Sequence, residues 1–153
     1  MLDGSATIRI VRILVVAESF LPHMNGVTNS VLRIVDHFAE VGHDIRIVAP
    51  NAKGSSSMIR TSCGRKIPVT RIASLPMVGY GEVRISATTN VKLGRIMSDF
   101  EPDVVHLACP TLLGGAAARA AEKLGIATVA IYQTDIPGYT AKYGFPLSLI
   151  HIS

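Results

Sequence analysis

At 153 residues the chain has the length of one ordinary domain, long enough to bury a real core. Hydrophobic residues make up 48% of it and charged ones 17%, which excludes a disordered chain and points to a folded, rather apolar α/β domain. The formal net charge of +4 and pI near 9.3 suit an anionic ligand or a membrane surface without demanding either, because the excess is modest and spread along the chain.

Residues 1–7 read as a loose tail, and 8–17 supply a first strand. Its run Ile13, Leu14, Val15, Val16, Ala17 is apolar and mostly β-branched, as a strand buried on both faces of a helix-covered parallel sheet requires. Arg9 and Arg12 interrupt the apolar stretch, Glu18 closes it and no small-residue cleavage site follows, so it is neither a signal peptide nor a membrane span. Residues 18–25 are too polar and too proline-bearing to continue the strand. Val27, Val31, Ile34, Val35 and Phe38 then recur at the spacing of one helix face.

Asn25 can cap that helix, and Gly26 leaves the backbone bare where the first turn's N–H groups lack internal partners. Free donors at the positive end of a helix dipole favour a phosphate or carboxylate. A lone glycine is also what a tight turn uses. The pattern is neither G-x-G-x-x-G nor G-x-x-x-x-G-K-[ST], so neither a dinucleotide fingerprint nor a P-loop is present.

The helix is expected to end near 41–42, with Gly42 in a left-handed cap, and 44–50 to form a second strand stopped by Pro50. With so short a connection this is a βαβ unit of right-handed crossover. Residues 51–66 lose apolar periodicity and read as a surface loop. Its basic group Arg60, Arg65 and Lys66 is either solvated or able to hold an acidic lipid head group or phosphate. A third strand is expected at 68–73, then a turn-rich connection over 75–81 whose Tyr80 could touch a ligand or whose apolar residues could cover the sheet edge. Ala87, Val91, Leu93, Ile96, Met97 and Phe100 predict a helix over 86–100, weakened by Thr88, Thr89 and Gly94.

After a break at 101–103, residues 104–108 form the next buried strand, 116–124 an alanine-rich helix closed by Gly125, and 127–132 a fifth strand. Strands alternating with helices in this way predict a doubly wound, mostly parallel, Rossmann-like α/β sheet.

Ligands of such sheets sit beyond the carboxyl ends of the strands. The informative residues are therefore 18–26, 106–111 and 133–139. His106 is open to two readings, a hydrogen-bonded structural residue or a group donating to a substrate hydroxyl or carbonyl. Asp135 and Gln133 could position a sugar or polyol hydroxyl, or Asp135 could stabilise the turn before Pro137, and Glu18 admits the same alternatives. No carboxylate pair establishes a glycosidase, no Ser/His/Asp order a hydrolase, and the scattered histidines no metal site. Cys63 and Cys109 stand alone and read as reduced thiols of a cytosolic protein.

The blocks Glu18-Ser19-Phe20-Leu21-Pro22-His23-Met24-Asn25-Gly26-Val27-Thr28-Asn29-Ser30-Val31, Gly42-His43, Asp103-Val104-Val105-His106 and Tyr132-Gln133-Thr134-Asp135-Ile136-Pro137-Gly138-Tyr139 closely resemble the N-terminal domain of retaining GT-B glycosyltransferases of family 4. Within that family the wording is most similar to actinobacterial GDP-mannose-dependent α-mannosyltransferases acting on glycolipids, with sulfoquinovosyl-diacylglycerol synthases as relatives. The resemblance runs from about residue 10 to about residue 144, and several blocks in the right order make it far more specific than one motif.

The resemblance implies a two-domain enzyme whose N-terminal half holds the acceptor and whose C-terminal half binds most of the nucleotide-sugar. The family's donor-diphosphate loop maps onto Asn25 and Gly26, and its catalytic histidine-bearing strand end onto His106; some relatives carry a second histidine where this chain has Ala108. Glu18, Tyr132, Gln133, Asp135 and Tyr139 would line the acceptor side. It further implies residues 8–145 as the acceptor-side domain, a tail at 146–153 that no longer resembles the family, and a missing C-terminal donor-binding domain with its paired glutamates, as in a truncated or misread frame. A lone half should not turn over, because the cleft needs donor contacts from both sides.

The expected function is hexose transfer, mannose from GDP-mannose, to a lipid-linked or polyol acceptor, without metal, cofactor or nucleic acid, in the cytoplasm and in peripheral contact with the inner membrane face. The alternative is a non-catalytic module binding an anionic sugar or nucleotide. A nicotinamide-dependent enzyme is disfavoured by the missing glycine fingerprint.

Overall fold

The computed structural model describes residues 8–76, 84–86, 88–109 and 111–131. In chain order these form β1 (Arg12–Val16), α1 (Gly26–Val41), β2 (Asp44–Pro50), β3 (Met58–Arg60), β4 (Lys66–Ile72), β5 (Ser74–Pro76), β6 (Arg84–Ser86), α2 (Asn90–Phe100), β7 (Val104–Leu107), α3 (Leu112–Lys123) and β8 (Ala127–Ala130). One sheet has the order β3-β4-β2-β1-β7-β8, parallel throughout except where β3 pairs with β4, and β5 and β6 form a separate antiparallel ribbon. The chain winds outward from β1 through β2 to β4, then returns to the other side of β1 for β7 and β8. The point of reversal lies between β1 and β7, and in open α/β sheets that is where a crevice forms at the carboxyl ends.

Alternation along the strands builds two cores from one apolar run. Ile13, Val15 and Ala17 face α1, where they pack with Val31, Val35, Ala39, Ile47 and Val69. Leu14 and Val16 face the other layer and pack with Leu93, Met97, Leu107, Leu113 and Ala117 from α2, β7 and α3. β1 is thus covered on both faces, as its unbroken hydrophobicity predicts.

The helix ends explain several boundaries. Gly42 closes α1 in the left-handed conformation, φ 98°, donating to Phe38 and Ala39 carbonyls. Arg65 finishes the same cap, its guanidinium donating at 2.9 Å to both Ala39 O and His43 O. In α3, a Cβ on Gly114 would stand 2.2 Å from the Cys109 carbonyl oxygen, so the first turn reaches its place only because position 114 is bare.

Five expectations are corrected. The first strand begins at Arg12 and not residue 8; Ile8 and Ile10 are exposed. Residues 51–66 are not wholly a loop: β3 pairs antiparallel with β4, which itself starts at Lys66, and a three-residue edge strand is too short to show period-two alternation. The basic group there is divided, because Arg65 caps α1 and Arg60 donates to Gly64 O within its own turn. Ser86 belongs to β6, and α2 starts at Asn90, where Thr89 Oγ1 accepts the Lys92 N–H. Finally α3 begins at Leu112 and not near 116, for a reason that lies at the other end of the chain. Tyr80 and the turn-rich residues 77–81, and the expected tails 1–7 and 146–153, lie outside the described residues.

Candidate functional site

Three segments meet the carboxyl edge near the β1/β7 reversal: the loop after β1, the start of α1 and the start of α3. The loop is organised by sending neighbouring side chains to different places. Glu18 turns toward α3, Ser19 accepts a hydrogen bond from the Asn25 amide nitrogen, and Phe20, 3% exposed, anchors in the α1-side core. Arg71, near the end of β4, lies over the Phe20 ring with its guanidinium 5.6 Å from the centroid, while donating to Ser56 O and Pro50 O. It therefore ties the loops after β1 and β2 together. Sequence reading missed it because a strand arginine carries no local mark of such a partner.

Ser19 fixes the Asn25 amide so that its Oδ1 faces the helix and accepts the Thr28 N–H at 2.9 Å. Thr28 is buried and its hydroxyl donates to His23 O, which closes the turn from beneath. The Asn29 N–H reaches Asn25 O as the first helical bond. Among the described residues the N–H groups of Gly26 and Val27 are left without a partner. A Cβ built at Gly26 meets nothing within 4 Å, its φ is not in the left-handed region, and the residue is exposed. Gly26 is thus required neither by a strained turn nor by packing; it leaves two amides open at the positive end of a sixteen-residue helix.

The amino terminus of α3 is built differently. Thr111 occupies its cap position without a side-chain cap bond. The Glu18 carboxylate supplies the acceptor, Oε1 taking the Leu113 N–H at 2.6 Å across 95 residues of sequence. Burial pushes the Glu18 carboxyl up to about 7, with the Leu113 and Leu112 amides pulling the other way. Glu18 thus caps a helix remote in sequence. Its neighbour Cys109 is likewise raised by burial and stays a thiol.

His106 faces the α1 layer beside Val15 and is 6% exposed. Its ring meets Phe38 edge-on, centroids 6.4 Å apart, and Phe38 lies roughly 18 Å along the helix axis from Gly26. Burial lowers its pKa, so the ring is neutral, and among the described residues Nδ1 has no hydrogen-bond partner. The structure thus groups Glu18, Asn25 and Gly26 at the edge and sets the His106 ring within the layer beneath α1. Tyr132, Gln133, Asp135 and Tyr139 lie outside the described residues.

A cleft of about 510 Å³ between α1 and β3, lined by Leu21, Leu32, Asp36, Met58 and Arg60 among others, takes in Arg60 of the basic group but not Glu18, Asn25, Gly26 or His106. Among the described residues no group of three His, Cys, Asp or Glu is placed to hold a metal ion, and no helix is long and apolar enough to cross a membrane.

Comparison with known proteins fits this architecture. The sequence profile of Glycosyltransferase Family 4 matches residues 24–152. The chain is 40% identical over 139 residues to a GDP-mannose-dependent alpha-mannosyltransferase of Mycobacterium tuberculosis, covering 90% of this chain and 36% of that protein. It is 42% identical over 139 residues to a protein of the same name from Corynebacterium glutamicum, covering 89% of this chain and 32% of that one. A sulfoquinovosyl transferase of Arabidopsis thaliana is 23% identical over 132 residues, 86% of this chain and 25% of its own. The chain thus spans about a third of the length of the curated mannosyltransferases it matches. Among solved structures, the C-terminal domain of a hydrogenase from Pyrococcus furiosus superposes with a TM-score of 0.51 at 12% identity, over 80% of this chain and 91% of that one, a likeness of fold alone.

Proposed function

The chain belongs to glycosyltransferase family 4, and from that premise we propose that it is the N-terminal, acceptor-side domain of a retaining GT-B enzyme that moves mannose from GDP-mannose to a lipid-linked or polyol acceptor. The observation that carries the reading is the amino terminus of α1, where among the described residues the Gly26 and Val27 amides have no partner at the carboxyl edge of a Rossmann-like sheet. A departing nucleoside diphosphate is the group such a terminus stabilises, by fixed donors and dipole in place of water. Asn25 serves by holding the first turn in shape, its side chain being already committed to Thr28 and Ser19.

The acceptor side is assigned to residues 132–139, with Tyr132, Gln133, Asp135 and Tyr139 the groups to hydrogen-bond sugar or polyol hydroxyls. His106 is assigned, in the neutral form that burial imposes, as a hydrogen-bonding group within β7 and not as a nucleophile or acid. No protein nucleophile enters the reaction. A C-terminal donor-binding domain completes the cleft, and the +4 chain meets an anionic membrane face peripherally, at the cytoplasmic side where the nucleotide-sugar is supplied.

Calorimetric titration with GDP-mannose tests the reading in the full-length protein. Gly26→Val is expected to weaken binding by about 10- to 100-fold, the worth of one or two hydrogen bonds to a charged group, with the thermal midpoint unchanged. Unaltered affinity would overturn the donor site at α1.

A further inference from the structure

The two helix amino termini at the reversal point are filled in opposite ways. Among the described residues α1 leaves the Gly26 and Val27 amides open, whereas α3, uncapped by its own Thr111, has a carboxylate of the β1–α1 loop seated on its first turn, 2.6 Å from Leu113 N. A carboxylate is the side-chain counterpart of a phosphate at such a terminus. Resting on the donor reading above, we propose that Glu18 is a positioning residue, an internal anion that occupies the α3 terminus so that the substrate's diphosphate finds only the α1 terminus open, and that clamps the start of α3 to the loop that carries Gly26.

The surroundings agree with that role. Glu18 takes part in no salt bridge among the described residues, so the partners its carboxyl meets there are α3 amides and not a cation. Among the described residues the Cys109 thiol, which burial keeps protonated, is a titratable group that faces it. Gly114, one residue past Leu113, admits the Cys109 carbonyl against the helix and so lets the strand end, the helix start and Glu18 converge. With the carboxyl raised to about 7 by burial, the plug gains and loses its charge near neutrality.

Amide NMR of the 153-residue chain, with inorganic pyrophosphate as probe, tests this. In the unaltered chain the Leu113 amide should titrate with a midpoint near 7, and in Glu18→Gln that titration should vanish while the resonance stays dispersed. Pyrophosphate should shift Gly26 and Val27 alone in the unaltered chain and in Glu18→Gln, which keeps an acceptor oxygen in place. In Glu18→Ala it should shift Leu112 and Leu113 as well, saturably and to a similar extent. A Leu113 amide that fails to titrate near neutrality, or titrates alike in Glu18→Gln, overturns the clamp, and needs no variant that must tolerate a lost side chain. A folded Glu18→Ala whose Leu112 and Leu113 ignore pyrophosphate overturns the plug. Gly26 and Val27 unmoved in the unaltered chain would overturn the donor reading and the steering role with it, whereas the Leu113 titration would still report the clamp.

Discussion

The first turns of α1 and α3 each carry a glycine at the same edge of the sheet, yet the two glycines do unlike things. At Gly26 an added Cβ would meet nothing within 4 Å; at Gly114 it would lie 2.2 Å from a backbone oxygen. One helix end is capped from its own loop by Asn25 and stays open beyond it, the other is closed by Glu18 from a distant loop. A glycine at a helix start therefore signals neither a ligand nor a packing constraint until the space in front of it is known. That space separates an unobstructed helix start from one consumed by the fold.

The contrast is broken most directly by alanine at each position. Gly114→Ala should cost about 3 kcal/mol in urea unfolding, since the clash is with backbone and must move α3 or the β7 end. Gly26→Ala should cost nothing and gain up to about 1 kcal/mol from helix propensity. Equal costs at the two sites would erase the distinction.

Glu18 sharpens the comparison through pH. Its folded-state pKa, near 7, lies above the unfolded value of 4.5, so the folded chain holds the proton more tightly. Stability from this group is fully present below about 4.5 and lost as pH rises to about 7. Because the side chain is partly exposed, the loss is on the order of 2 kcal/mol, and Glu18→Gln should flatten the profile of unfolding free energy across that window. A profile the same in both proteins would mean the carboxyl is not buried against α3.

The smallest effect belongs to the α1 cap. Asn25→Ala removes the acceptor of the Thr28 N–H and should lower stability by about 1 kcal/mol in urea melts. In the proposed donor site it should also weaken GDP-mannose binding less than Gly26→Val, because there the cap shapes the turn whereas a side chain at position 26 would stand against the diphosphate. An Asn25→Ser variant should restore the stability, since serine also caps.

The local frame of the candidate site, β1, α1 and the Asn25 cap, was legible in the sequence because its cues are local. The step from an apolar β-branched run through a polar loop to period-3.6 residues fixes β1 and α1 within a few positions, and Asn25 before Gly26 marks the cap and the bare turn. Glu18 and Arg71 were not readable in this way. The first caps a helix 95 residues on, and the second bridges two loops through carbonyls and an aromatic face, pairings that no spacing encodes. His106 shows the limit from the other side: its strand and its place in it were legible, but whether its ring pointed to the edge or under α1 depended on the layer against which β7 lies.

What the sequence by itself determined is the alternation of strands and helices, the parallel order that follows from βαβ units, the family, and an amide-bearing helix start suited to an anion. Only the tertiary structure decided which of two such starts remains open. Local pattern records how each segment satisfies its own backbone, whereas the closing of α3 uses an acceptor that reaches it only once β1 and β7 lie side by side.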